Sequence, residues 1–295
     1  IESPREAALA DRIAAERGKV QDVLVRVAPD RIPKGFGDYM AGRPVAFGID
    51  IEDIDVELPR VLALPHLKVV GFHVYSGTQC LKADAVCENY EIFASLFERI
   101  CDGHGIVPRK LVFGSGLGVP YHAGESAIDL KAVAARTNAL VDRLRAVGRF
   151  ARSQFVLELG RYLVAQAGVF LVQVVSLKRS RGVQIAVCDG GMNNHLPASG
   201  NFGMVVHRPY AMHRVGGGDQ TEAVDLVGPL CTSIDRLGKN VELPTLHEGD
   251  LIAIHNSGAY GLTASPMHFI SHPLPHEVLV DGSELVDVSH TLGDL

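Results

Sequence analysis

Residues 67–77 read LKVVGFHVYSG, residues 110–118 read KLVFGSGLG, and residues 155–162 read FVLELGRY. Each is a short apolar run that opens at its carboxyl end into polar residues or glycine. A fourth run, VQDVLVRVAP, covers residues 20–29. Between the runs lie helical patterns, Pro4 to Arg17, Ile51 to Ala63, Asp84 to Asp102 and Asp129 to Val147. Near-continuous apolar strands joined by helices predict a parallel sheet covered on both faces. The strand ends recur roughly every 40 residues, the pace of βα units with modest insertions. The count is about four strands, or five if Ile1–Glu2 ends another, whereas a closed (β/α)₈ barrel needs about eight. A barrel reading therefore expects the amino-terminal part, and the strands it holds, to lie outside this chain.

Past Ala165 the texture changes. VFLVQVVSLKRSRGVQIAVCDGG predicts two strands around a Lys-Arg-Ser-Arg-Gly turn, and VDLVGPLC, GDLIAIHNSG and HEVLVDG read as further strands. Helical periodicity is scarce there, apart from a short stretch after Tyr260. The expected division is residues 1–164, α/β, followed by residues 165–295, mostly β.

The composition narrows the classes of function. The chain has 295 residues, 47% hydrophobic content and a net charge of −6. No basic run marks a nucleic-acid surface. No stretch reaches the roughly 20 apolar residues of a membrane helix. The five cysteines, Cys80, Cys87, Cys101, Cys188 and Cys231, are odd in number and irregularly spaced. That pattern argues against disulfides and a zinc knuckle, so the expectation is a reduced, cytoplasmic setting and no metal.

The polar strand ends hold the candidate chemistry: His73 and Ser76 after the first run, Gly114, Ser115 and Gly116 after the second, and Glu158, Gly160 and Arg161 after the third. In α/β folds the carboxyl ends of strands are the face that binds ligands. Singly, each has a plainer reading: a hydrogen-bonded structural histidine, a glycine turn, a buried carboxylate paired with an arginine. In the β part, Asp189 to Asn194, Gly228 to Asp235 and Ser257 to Gly261 each read as turns when taken alone.

Together and in this order, the segments resemble the diaminopimelate/ornithine/arginine decarboxylases, which are fold-type-III pyridoxal-phosphate (PLP) enzymes. That family pairs an alanine-racemase-like (β/α)₈ TIM barrel with a C-terminal β domain. The resemblance implies that His73 stacks on the cofactor ring and Ser76 bonds its phosphate. Gly114, Ser115 and Gly116 match the phosphate loop, with serine in place of the middle glycine. Glu158, Gly160 and Arg161 match a Glu-Pro-Gly-Arg motif whose glutamate pairs with the ring nitrogen, and Leu159 replaces the proline. Cys231 matches the cysteine that the second subunit of a homodimer lends to a shared active site, and Tyr260 a phosphate-binding tyrosine. The family's Schiff-base lysine has no counterpart among the eight lysines here, and the expectation is that it lies upstream of Ile1.

The expected activity is α-decarboxylation of an amino acid. A racemase on the same architecture is disfavoured by the Cys-Thr-Ser-Ile-Asp segment and by the glutamate at the ring nitrogen. A non-catalytic, decarboxylase-like regulator would account for the missing lysine, but it leaves the retained site residues unexplained. Relatives acting on ornithine or diaminopimelate carry Asp or Glu directly after the cysteine, where this chain has Thr232. The text most resembles decarboxylases tied to secondary-metabolite or exopolysaccharide clusters. The expected substrate therefore lacks a free distal ammonium, as an acylated or carrier-protein-bound amino acid does. The alternatives are a conventional free diamino acid, with Asp235 taking over the pairing, or the regulator.

Overall fold

The computed structural model describes residues 1–200 and 208–289. The chain forms two compact units, residues 1–120 with 126–162, and residues 121–125 with 163–295.

The first unit is built on four strands: β1 (Gln21–Ala28), β2 (Leu67–Val74), β3 (Lys110–Gly114) and β4 (Gln154–Glu158). A two-residue strand, Ile49–Asp50, pairs with the free edge of β1. All five run parallel, in the order Ile49–Asp50, β1, β2, β3, β4. The fifth strand is thus not Ile1–Glu2. Ile1 still follows β1 with two backbone bonds, its amino group donating to the Leu24 carbonyl at 2.7 Å and its carbonyl accepting from Arg26 N at 2.9 Å.

The connections are α1 (Pro4–Glu16), α2 (Ile54–Leu62), α3 (Ala83–His104) and α4 (Leu130–Ala146). Side chains alternate along a strand, so register sorts them by face. Val25, Val27, Phe72, Val74, Leu111 and Phe113 lie on one face and are buried in the core that includes the helices. Phe113 is the centre of that core. Its ring meets Phe97 edge-on at 5.2 Å and Tyr90 edge-on at 5.8 Å, contacts each worth about 0.5–1.5 kcal/mol beyond simple burial. The opposite face carries the row Arg26, His73, Val112 and Val156, paired strand to strand, with Glu158 two residues further along β4.

The second unit holds a six-stranded sheet. Its members are β5 (Phe170–Ser180), β6 (Val183–Cys188), β7 (Met212–Arg214), β8 (Thr221–Val227), β9 (Arg236–Pro244) and β10 (Leu251–Ile254). The order is β7-β10-β5-β6-β8-β9. All pairs are antiparallel except β6 with β8. A hairpin of β11 (Val278–Asp281) and β12 (Glu284–Asp287) stands apart from that sheet. The β5–β6 turn is tighter than the five-residue segment expected, only Arg181 and Gly182, both at positive φ. Among the described residues no α-helix follows Tyr260; the chain there makes turns, one 3₁₀ segment, Phe269–Ser271, and the β11–β12 hairpin. Among the described residues no helix is long and apolar enough to cross a membrane.

Candidate functional site

In the first unit the carboxyl ends of β2, β3 and β4 lie side by side. His73 and Glu158 project from the same sheet face, and the imidazole Nε2 sits 2.7 Å from Glu158 Oε2. They belong to strands that are not neighbours. β3 runs between them and carries Gly114 at the level of Glu158, so no side chain separates the pair. A Cβ at Gly114 would also drive into the Tyr75 ring, with the ring's Cγ at 2.6 Å. Burial holds the His73 pKa below the ordinary imidazole value, and the Glu158 carboxylate opposes that shift without cancelling it. Glu158 itself is half exposed and open to a further partner on that face.

Ser115 ties the next loop to the end of β4. Its backbone N–H and its hydroxyl both donate to the Glu158 carbonyl, at 3.3 and 2.9 Å. Gly116 has φ +64°, and a Cβ there would meet the Phe36 ring edge at 2.6 Å, so only glycine fits this turn. Ser76 is fully buried, and its hydroxyl donates to Asn89 Oδ1 at 2.9 Å. Asn89 is buried too, and its Nδ2 has no hydrogen-bond partner among the described residues. The Ser76–Asn89 pair therefore holds three donor hydrogens, of which the single bond between them engages one. An unpaired buried amide costs about 1–3 kcal/mol, and an acceptor-rich anion such as a phosphate would satisfy it. Gly160 and Arg161 open the short helix α5 (Gly160–Val164), next along the chain from Glu158. These residues fit a phosphate-bearing aromatic cofactor: buried donors at the strand ends, a glycine turn that admits backbone, and a carboxylate beside an imidazole.

The other expected residues belong to the second unit. Cys231 is exposed, on the loop between β8 and β9, with Thr232 next to it. Asp235, which was to pair with a substrate ammonium in the absence of an acidic residue at 232, is only 3% exposed. Its Oδ1 accepts from Met192 N at 2.7 Å and its Oδ2 from Leu230 N at 2.8 Å. Tyr260 is half exposed and held at φ +60°, a conformation unusual for a bulky residue and found where the surroundings over-determine it. Its loop is packed tightly, for a Cβ at Gly258 would stand 2.8 Å from Gly168 N.

His195 steadies that loop from beneath. It is 1% exposed. The Ala198 N–H donates to its Nδ1 at 3.1 Å, which leaves the proton on Nε2, 2.9 Å from Ser257 Oγ. The Ser257 hydroxyl in turn donates to the Ile254 carbonyl. Both ring nitrogens are thus satisfied in the neutral form, and protonation would break the Ala198 bond and bury a charge. Burial pushes the His195 pKa down to about 4. The unfolded chain takes up this proton near pH 6.5 and the folded chain only near 4, so stability is full above 6.5 and falls as pH drops through that window. Urea unfolding at pH 7 and pH 5 should differ by about 2 kcal/mol from this residue. A His195→Gln protein should lose that part of the pH dependence, and an unchanged slope would contradict the buried neutral tautomer.

Sequence reasoning passed over Asn89 and the buried, loop-holding role of His195. Asn89 could have been found as a polar residue on the apolar stripe of α3, between Val86 and Phe93. His195 sits in Asn194-His195-Leu196-Pro197, which in sequence stands out only as a departure from the resembled diaminopimelate decarboxylases, whose text continues there to an arginine that grips a substrate carboxylate. Among the described residues no group of three or more His, Cys, Asp and Glu side chains suits a metal ion.

Comparison with known proteins adds the following. A family model described as "Pyridoxal-dependent decarboxylase, C-terminal sheet domain" matches residues 72–258. The L-glutamyl-[BtrI acyl-carrier protein] decarboxylase of Niallia circulans is 38% identical over 100% of this chain and 70% of its own length. The diaminopimelate decarboxylase of Pseudomonas fluorescens is 34% identical over 94% of this chain and 63% of its own. The crystal structure of diaminopimelate decarboxylase from Helicobacter pylori complexed with L-lysine superposes with a TM-score of 0.82 at 25% identity, covering 100% of this chain and 72% of that one. This chain therefore spans between three fifths and three quarters of each of these relatives. The likeness makes the first unit a portion of an alanine-racemase-like (β/α)₈ barrel and the second a C-terminal sheet domain.

Proposed function

Because the chain belongs to the pyridoxal-dependent decarboxylase family, we propose that the whole protein removes the α-carboxylate of an amino acid whose side chain ends without a free ammonium. An acylated or carrier-protein-bound amino acid is such a substrate. PLP, which the family implies, supplies the electron sink for the carbon that loses CO₂. We assign residues 1–164 to the cofactor-binding barrel portion and residues 165–295 to the β domain, in a cytoplasmic homodimer that shares its active sites.

In this reading Ser76, Ser115, the backbone of Gly114, Gly116 and Gly160, Arg161 and Tyr260 hold the phosphate. His73 packs on the ring face. The Glu158 carboxylate keeps a proton on the ring nitrogen, which strengthens the sink. Cys231, contributed by the partner subunit, gives its thiol proton to the α carbon after CO₂ departs. None of the eight lysines is assigned as the Schiff-base carrier. Lys68 and Lys110 lie in the first two residues of β2 and β3, at the end opposite the site.

The substrate assignment rests on one observation. Asp235 is the only acid in the segment Gly228–Asp235, and backbone N–H groups occupy both its carboxylate oxygens. With Thr232 neutral, that segment offers no counter-charge to a distal ammonium, and a buried unpaired ammonium is costly. The name of the Niallia circulans relative, which puts a glutamyl group on an acyl-carrier protein, agrees with this. Steady-state assays of the whole protein should give kcat/KM below roughly 10⁴ M⁻¹s⁻¹, the low end for ordinary enzymes, on free ornithine, lysine or meso-diaminopimelate. A carrier-bound glutamyl substrate should exceed that value. Efficient turnover of any of the three free diamino acids would overturn the assignment.

A further inference from the structure

The segment Gly228–Asp235 is closed on itself. Gly228 N donates to the Asp235 carbonyl at 3.1 Å, Thr232 N to the Leu230 carbonyl at 2.8 Å, and Asp235 N to the Thr232 carbonyl at 3.3 Å. Leu230 and Ile234 pack against Met192 and Leu196, so the loop is anchored by apolar contact on both sides of its exposed cysteine. Among the described residues, Asp235 is the side chain that fastens it by hydrogen bonds to a second segment. Asp235 grips the loop through Leu230 N and the turn after β6 through Met192 N.

Two glycines make room for that carboxylate. A Cβ at Gly191 would run into it, with the carboxylate carbon at 2.8 Å, and a Cβ at Gly228 would strike both its oxygens and, at 2.5 Å, the Gly191 Cα. A buried carboxylate held by two backbone donors in a cradle of glycines joins two loops and leaves little freedom between them. Neither its burial nor its partners suit a group that meets substrate.

We propose that Asp235 is a positioning residue, whose clamp between Met192 N and Leu230 N sets where the loop presents the Cys231 thiol. The proposal rests on the decarboxylase reading for the role of the thiol and not for the clamp itself. Asparagine at 235 would keep the shape and turn an amide donor toward one of the two backbone donors, releasing one end of the clamp.

Native-state hydrogen exchange and steady-state kinetics on the whole holoprotein test this. In the unmodified protein the Met192 and Leu230 amides should exchange at least about 10²-fold slower than unprotected amides. In Asp235→Asn they should speed up by roughly 10-fold or more while the amides of β6 and β8 hold their rates. A thiol displaced by about 1 Å should lower kcat by roughly 10–100-fold with KM and the visible absorbance of the bound cofactor preserved. Gly191→Ala should give the same signature with the carboxylate still present. Fast exchange at the two amides in the unmodified protein overturns the proposal without any variant. So does a raised KM at unchanged kcat in Asp235→Asn, which would make the residue a substrate ligand. If the unmodified protein shows neither visible absorbance nor CO₂ release, the decarboxylase reading fails, while the exchange rates still decide the clamp.

Discussion

Glu158→Gln should lower kcat of the whole protein by roughly 10²–10³-fold, the usual effect of removing one preorganised electrostatic group, while cofactor binding survives. The glutamine keeps the shape but not the charge. A neutral amide cannot hold a proton on a ring nitrogen, so the sink weakens at the step where charge develops. His73 reports the change independently. Its pKa is already below the ordinary value because burial outweighs the Glu158 carboxylate, and loss of that carboxylate should lower it further in an NMR titration. Retained visible absorbance with lost turnover would place the effect in chemistry. Lost absorbance would make Glu158 a binding group instead. The same variant tests the shared sites. Mixed at equal amounts with Cys231→Ala under subunit exchange, half of the dimers are hybrids with one intact site each, so activity should recover to about a quarter of the unmodified level. Absence of recovery with hybrids demonstrably formed would count against a site shared between subunits.

The parallel sheet was legible because its strands are buried on one face by helices and half-covered on the other, which makes them continuous apolar runs. The four runs became β1 to β4, with starts within one residue and carboxyl ends up to four residues short of the quoted stretches, and the helices fell where the 3.6-residue pattern put them. β9 was not legible. Its sequence RLGKNVELP places Gly-Lys-Asn in mid-strand, with Asn240 at φ +52°. Its pairing with β8 slips in register twice, between Val224 and Leu226 and between Leu226 and Val227. A bulged strand loses the period of two that pattern reading depends on.

At the site, residue types were readable and their relations were not. His73, Ser76, Gly114 and Glu158 were recognisable as strand-end residues because a strand's carboxyl end is marked by a local change from apolar to polar. Their meeting across β3 required the register, which no single strand encodes. Asp235 shows the limit more sharply. In sequence it is one acid near a cysteine, the natural candidate for an ammonium partner. Its actual partners are Leu230 N and Met192 N, the second of them 43 residues away, and backbone N–H groups carry no sequence signature. The neighbouring Gly191 and Gly228 read as turn formers, whereas neither has a positive φ and both are required by the space the carboxylate occupies.

Gly71→Ala should be the most damaging single-methyl change in the first unit. β2 carries one residue too many against β1, since Val23 pairs with Val69 and Leu24 with Gly71, so Val70 is bulged. At the bulge Gly71 takes φ +156°, and an added Cβ would overlap the carbonyl oxygen of Lys110, with the carbonyl carbon at 2.7 Å. The obstacle is backbone of the adjacent strand and cannot rotate away. Relief requires β2 and β3 to separate, which breaks the Arg109 N to Val70 carbonyl bond of 2.8 Å and disturbs the register that brings His73 level with Val112. Overpacking with backbone displacement costs about 3 kcal/mol, and in a domain of this size that lowers Tm by roughly 6–12 °C. Gly103→Ala supplies the contrast. Gly103 lies in α3 with nothing within 4 Å of a new Cβ and no positive φ, so alanine there should stabilise by about 0.5–1 kcal/mol through helix propensity alone. Thermal unfolding of the two variants beside the unmodified protein separates these cases. If both shift Tm in the same direction, the close approach of β2 to β3 at Gly71 does not govern the stability of this sheet.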